Sequence, residues 1–318
     1  MNITGGKITV KDGGEITLVG NADMNIGGNA NITMDYTGVT PDNEHDGGIL
    51  HEGKSGNLNI SGGVINLTGE VAKIERGGYD GDWIYDKSGK TVMSGEEFYE
   101  KTGKWLGENV TAEDFEKAGL NINDVDTTQY HVSTGNINIT GGEINLKDGA
   151  RISLTEKNTG DINILGNAVI NSDNGGIANI GSGNINILGG TLNLNNPNSK
   201  FKQTASNGQG IFGSNVSLTS ADKVNISGGK VNLNQTSING WKGIEISGGE
   251  VNLGAENIGM TSTLWSKGDI LLSGGTINTN GAAINTFYLE DGVDSKGNIT
   301  ISGATINAQE AVSYTHLT

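Results

Sequence analysis

The chain has 318 residues, of which 53 are glycine, two are proline and none is cysteine, and its formal net charge is -16. That charge argues against nucleic acid, whose phosphates require a basic surface, and against docking on an anionic membrane. The missing cysteines exclude disulfides and thiolate metal sites, and no apolar run is long enough to span a bilayer.

So much glycine would suggest disorder, were the aliphatic residues not regularly spaced. They belong to a phrase that recurs with small changes, as in Asn57-Leu58-Asn59-Ile60-Ser61-Gly62-Gly63-Val64-Ile65-Asn66-Leu67 and Asn136-Ile137-Asn138-Ile139-Thr140-Gly141-Gly142-Glu143-Ile144-Asn145-Leu146. Further copies centre on Gly189-Gly190, Gly228-Gly229, Gly248-Gly249 and Gly274-Gly275. Looser ones centre on Gly5-Gly6, Gly27-Gly28, Gly166-Asn167 and Gly303-Ala304. The ten hinges are separated by 22, 35, 79, 25, 23, 39, 20, 26 and 29 residues, a period that marks a solenoid lengthened by insertions. Within each unit the hydrophobic period is two, so the aliphatic side chains share one face of a strand. The expected fold is therefore all-β: a right-handed parallel β-helix of about ten coils. At roughly 4.8 Å per coil its length is on the order of 50 Å.

In chain order, residues 1–70 read as the first coils, with a loop insertion at 35–55. Residues 71–133 lack a Gly-Gly hinge and read as a small inserted α+β module. Within it Trp83-Ile84-Tyr85 and Lys90-Thr91-Val92 suggest a hairpin. Ser94-Gly95-Glu96-Glu97 caps a first helix that carries Phe98, Tyr99, Trp105 and Leu106. Thr111 to Asp114 open a second, which stops at Gly119 and Leu120. Residues 134–311 resume the solenoid. Residues 312–318 break the repeat and resemble a translated sequencing adapter, which implies a non-native tail, a metagenomic fragment and a natural chain that continues past Ala311. Met1 reads equally as an internal methionine, so an export signal or an anchor would lie in sequence beyond these ends.

Candidate sites are sparse. General acid–base chemistry needs two titratable groups within reach of one bond. The solenoid beyond Thr134 offers one arginine, Arg151, and scattered acids such as Asp291 and Asp294. No catalytic site is expected. Asp80, Asp82 and Asp86 supply carboxylates at a spacing that calcium could use, although a solvated acidic turn is the leading reading. His45 and His51 are a second, looser metal pair. Outward rows are expected from Asn59, Asn138, Asn163, Asn186 and Asn225, and from Asn66, Asn145, Asn193, Asn232, Asn252, Asn278 and Asn307. These rows read first as structural amide ladders and second as a flat surface for polysaccharide. Trp241 and Trp265 precede equivalent strands and suggest either corner packing or a platform for sugar rings.

The repeats outside residues 71–133 resemble the passenger repeats of bacterial autotransporter and filamentous-haemagglutinin-type surface adhesins. The resemblance implies a secreted or surface-displayed rod, exported unfolded and anchored through an absent C-terminal β-barrel. It would attach to a host or environmental surface, glycan included, without membrane insertion by these residues and without enzymatic action. A calcium-assisted β-helical module for acidic polysaccharide is the alternative reading, and a polysaccharide lyase or hydrolase the third.

Overall fold

The computed structural model describes residues 1–39, 47–77, 83–88, 90–104, 110–125, 133–198, 216–254, 263–279, 283–286, 289–290, 293–294, 297–308 and 314–315. The rod is a right-handed parallel β-helix built on two long sheets, one of 14 strands and one of 10. The first sheet contains the recurring phrase. In six coils the phrase is one unbroken strand of 11 or 12 residues: Leu58–Thr68, Ile137–Lys147, Ile185–Asn195, Lys223–Asn234, Gly243–Gly254 and Asp269–Thr279. The residues before and after Gly-Gly thus stay in one sheet, and the hinge is a bend within a strand rather than a corner between faces. In the coils of Met24–Ile26 with Asn31–Asp35 and of Ile162–Ile164 with Val169–Asp173, the hinge carries one residue more and the strand breaks there.

Glycine dominates the second hinge position, although Ala304 holds it in the last coil. Gly63, Gly142 and Gly229 have φ of 84°, 85° and 74°, a region that L side chains avoid. A Cβ on Gly229 would also come within 2.6 Å of the Gly189 carbonyl group one coil away. The hinges stack backbone on backbone.

Alternation decides what lies inside. One column runs Ile137, Ile162, Ile185, Val224, Ile244, Ile270 and Ile299, each facing the next in register, and every member is at most 1 % exposed. Stacking like on like fills the narrow interior with branched side chains. The second sheet closes the coil with one short strand each, and its inward column is Ile152, Ile177, Leu218, Ile238, Leu264 and Ile284. One continuous cluster joins the columns of both sheets from Met24 to Ile299.

Three sequence boundaries need correction. Strand Gly47–Glu52 lies inside the expected 35–55 loop and pairs with Ala72–Gly77, which lies inside the expected module. Both belong to the second sheet. Their buried Ile49 and Ile74 sit in the main core, so the inserted module lies between Gly77 and Ser133. Strand Tyr314–Thr315 pairs with Ala283–Asn285, which sets part of the expected tail in the second sheet.

The module has its own small core of Ile84, Met93, Phe98, Phe115, Ala118 and Val125. Trp83–Tyr85 and Thr91–Ser94 form its antiparallel hairpin. Helix Gly95–Thr102 is capped by Ser94, and helix Ala112–Lys117 opens on a Thr111–Asp114 capping box. Lys104 and the Thr111 groups that bond the Asp114 carboxylate hold it well below the usual range. Trp105 and Leu106 lie outside the described residues.

Candidate functional site

The outward face of the first sheet is organised by asparagine. With Ile185 and Ile187 inward, Asn186 must point out, and the same parity holds in neighbouring coils. Seven amides, Asn2, Asn25, Asn59, Asn138, Asn163, Asn186 and Asn225, form one ladder. In each step Nδ2 of the later coil donates to Oδ1 of the earlier one, at 2.8–2.9 Å. The ladder ends where Glu245 faces Asn225, because a carboxylate has no hydrogen to donate back to the Asn225 Oδ1. Beyond the hinge a second ladder links Asn66, Asn145, Asn171, Asn193, Asn232, Asn252, Asn278 and Asn307 through seven bonds of 2.6–3.0 Å. Each bond contributes on the order of 1 kcal/mol. A third series at the strand entrances uses side-chain oxygens against the backbone, as where Asn57 Oδ1 accepts from Asn136 N at 2.9 Å and Asn136 Oδ1 from Asp161 N at 2.8 Å.

The structure thus brings the expected Asn138, Asn163, Asn186 and Asn225 together in one line. It adds Asn2, Asn25 and Asn171 to the expected rows. Asn171 follows the hinge with the extra residue, so its unit did not match the phrase.

A groove of about 340 Å³ runs along the second ladder. One bank is Asn145, Asn171, Asn193, Asn232 and Asn252; the other is Lys147, Asp173, Asn195, Asn234 and Gly254. The two banks are alternate residues of the same strands, so the backbone of Leu146, Leu194 and Leu233 forms the floor between them. The second bank is also laddered, with Asn234 Nδ2 donating to Asn195 Oδ1 and Asn195 Nδ2 to Asp173 Oδ1, both at 3.2 Å. Beside the first bank, the Asn252 amide and then the Lys230 ammonium, 3.0 Å away, lower the pKa of Glu250.

The other expected sites come out differently. Trp241 and Trp265 meet with ring centroids 6.2 Å apart, but the rings are tilted by 54°. Trp241 is 8 % exposed and Lys267 Nζ lies 4.7 Å above its ring. This is the geometry of corner packing, in which a sugar ring has no flat double platform. His51 is fully buried inside the rod, its Nε2 2.8 Å from the Ala22 carbonyl oxygen. It faces Arg76 in register, so burial lowers its pKa and the guanidinium adds to that. A ring beside a buried cation cannot serve a surface metal site, which corrects the expected His45–His51 pair. Asp86 Oδ1 accepts from Ser88 N, Ser88 Oγ and Lys90 N at 2.5–3.0 Å. That carboxylate closes a turn. His45, Asp80, Asp82 and Asp291 lie outside the described residues, among which no group of three metal-ligating side chains converges.

Arg76 went unnoticed in the sequence. Fully buried, it donates to the carbonyls of Gly53, Gly56 and Gly77 at 2.8–3.1 Å and to Ser133 Oγ, while burial lowers its pKa to about 10. It is legible only once Ile74 is known to face inward, because Arg76 then shares that face.

Compared with protein-family models, curated proteins and solved structures, the chain matches none. The class that its fold defines is the parallel β-solenoid. No described helix is long and apolar enough to cross a membrane.

Proposed function

We propose that this chain is a passenger rod of an exported bacterial surface adhesin, displayed outside the cell, which holds a surface ligand such as a glycan without changing it. The observation that supports this reading is the pair of amide ladders. They repeat one neutral polar group at constant spacing over most of the rod, which suits many weak and equivalent contacts better than one reaction centre. A cysteine-free chain whose rod has one narrow core also suits export in the unfolded state. The calcium-assisted module loses ground, since Asp86 closes a turn and His51 lies within the rod.

Weak equivalent contacts act through multivalency. Beads carrying the purified chain are therefore expected to attach to polysaccharide-coated surfaces, with attachment rising steeply with the number of copies per bead. Attachment that is absent at every density, or that one copy suffices to give, would contradict the reading.

A further inference from the structure

We propose that the groove over Asn193, Asn195, Asn232 and Asn234 binds a neutral, hydroxyl-rich linear polysaccharide lying parallel to the rod axis. The inference rests on the adhesive reading above and assigns its ligand class and its place.

Hydrogen-bond capacity sets these four amides apart. A side-chain amide offers two N–H donors and two acceptor lone pairs. Asn193 donates once to Asn171 and accepts once from Asn232, which itself donates only to Asn193 and accepts only from Asn252. Asn195 donates to Asp173 and accepts from Asn234, whose own amide donates only to Asn195. Each of the four keeps at least one N–H and one lone pair unused. Their neighbours are more fully engaged: Asn145 and Asn252 spend their second hydrogens on Glu143 and Glu250.

These four amides form a rectangle two coils high and two alternate residues wide, roughly 5 by 7 Å. A hydroxyl both donates and accepts, so it uses both faces of such an amide. A carboxylate or sulfate only accepts, and would turn an anion toward four free lone pairs on a protein of charge -16. The charged side chains in the groove are Lys147 and Asp173, which face each other in register at one end. The rectangle itself is neutral. The groove crosses five consecutive coils, about 19 Å at the coil spacing, so its occupant is a chain rather than a single sugar.

The test is affinity electrophoresis of the full chain through gels containing hydroxyethyl cellulose, galactomannan or a β-1,3-glucan, and through gels containing polygalacturonate. At least one neutral polymer is expected to retard the protein. The double variant Asn195→Ala, Asn234→Ala should lose about tenfold in affinity, while Thr9→Ala, Thr33→Ala, in the outward column of Asn193 and Asn232 but outside the groove, should not. Circular dichroism should be unchanged in both. Should the alanine variant misfold, Asn234→Asp puts an anion into the neutral rectangle and is expected to weaken retardation by the same neutral polymer. Equal losses in the groove variant and the control, retardation by polygalacturonate alone, or no retardation by any neutral polymer would overturn the assignment. Bead attachment without retardation would sink the groove and spare the adhesive reading. Retardation without attachment would do the reverse.

Discussion

His51 and Arg76 occupy successive inward positions of the second sheet, where neighbouring coils hold Leu18 and Leu154. The guanidinium is tolerated because backbone carbonyls take up its hydrogens. The imidazole is tolerated because it is neutral. Burial and Arg76 favour that form, against a weaker pull from the Ala22 carbonyl and Asp23. The sign of the pH effect follows from linkage. A histidine whose folded pKa is lowered binds fewer protons folded than unfolded, so stability is lost as pH falls through the ordinary value of 6.5 and below. Thermal melting of the natural chain should therefore fall more between pH 7.5 and 5.5 than that of His51→Gln, which removes the titration. Parallel declines in the two proteins would show that the ring is not the titrating group.

At the scale of the element, Arg76 explains how an inserted module leaves the rod intact. One guanidinium bonds both Gly77 and Ser133, so the two ends of the insertion meet at one point of the coil. Removing residues 78–132 and joining Gly77 to Ser133 should leave the β signal and cooperative melting in place, since the module packs on its own core and closing so short a gap costs little. Removing residues 71–132 should unfold or severely weaken the rod, because strand Ala72–Gly77 goes with it, Ile74 and Arg76 included. Equal tolerance of both deletions would mean that this strand is dispensable. The same strand shows why half of each coil was hard to read. First-sheet strands announce themselves through two alternating runs around the hinge, and all ten hinges are placed by the sequence. Second-sheet strands have two to six residues, most with a single inward aliphatic such as Ile49 or Ile74. A lone aliphatic among polar residues has no period, so these strands look like loops in the sequence.

At the scale of the whole molecule, each coil is both ceiling and floor for its neighbours, so stability is a sum of nearest-neighbour contacts along the rod. The ladders were legible as rows of outward asparagine, and the groove was half legible. Asn193 and Asn232 belong to the phrase, whereas Asn195 and Asn234 lie one alternation beyond it. Core, ladder and groove all depend on which parity faces inward. The direct measurement is thermal unfolding of Ile187→Asp beside Asn186→Asp, adjacent residues in the middle of the rod. Ile187 is fully buried, so an aspartate there is an unpaired carboxylate in an apolar column and should cost several kcal/mol, a drop in melting temperature on the order of 10 °C. Asn186→Asp loses the donation to Asn163 but keeps an acceptor for Asn225, and should cost only about 1 kcal/mol. Comparable losses in the two variants, or a larger one for Asn186→Asp, would contradict the account, because a slip of one residue exchanges the inner and outer faces of every strand.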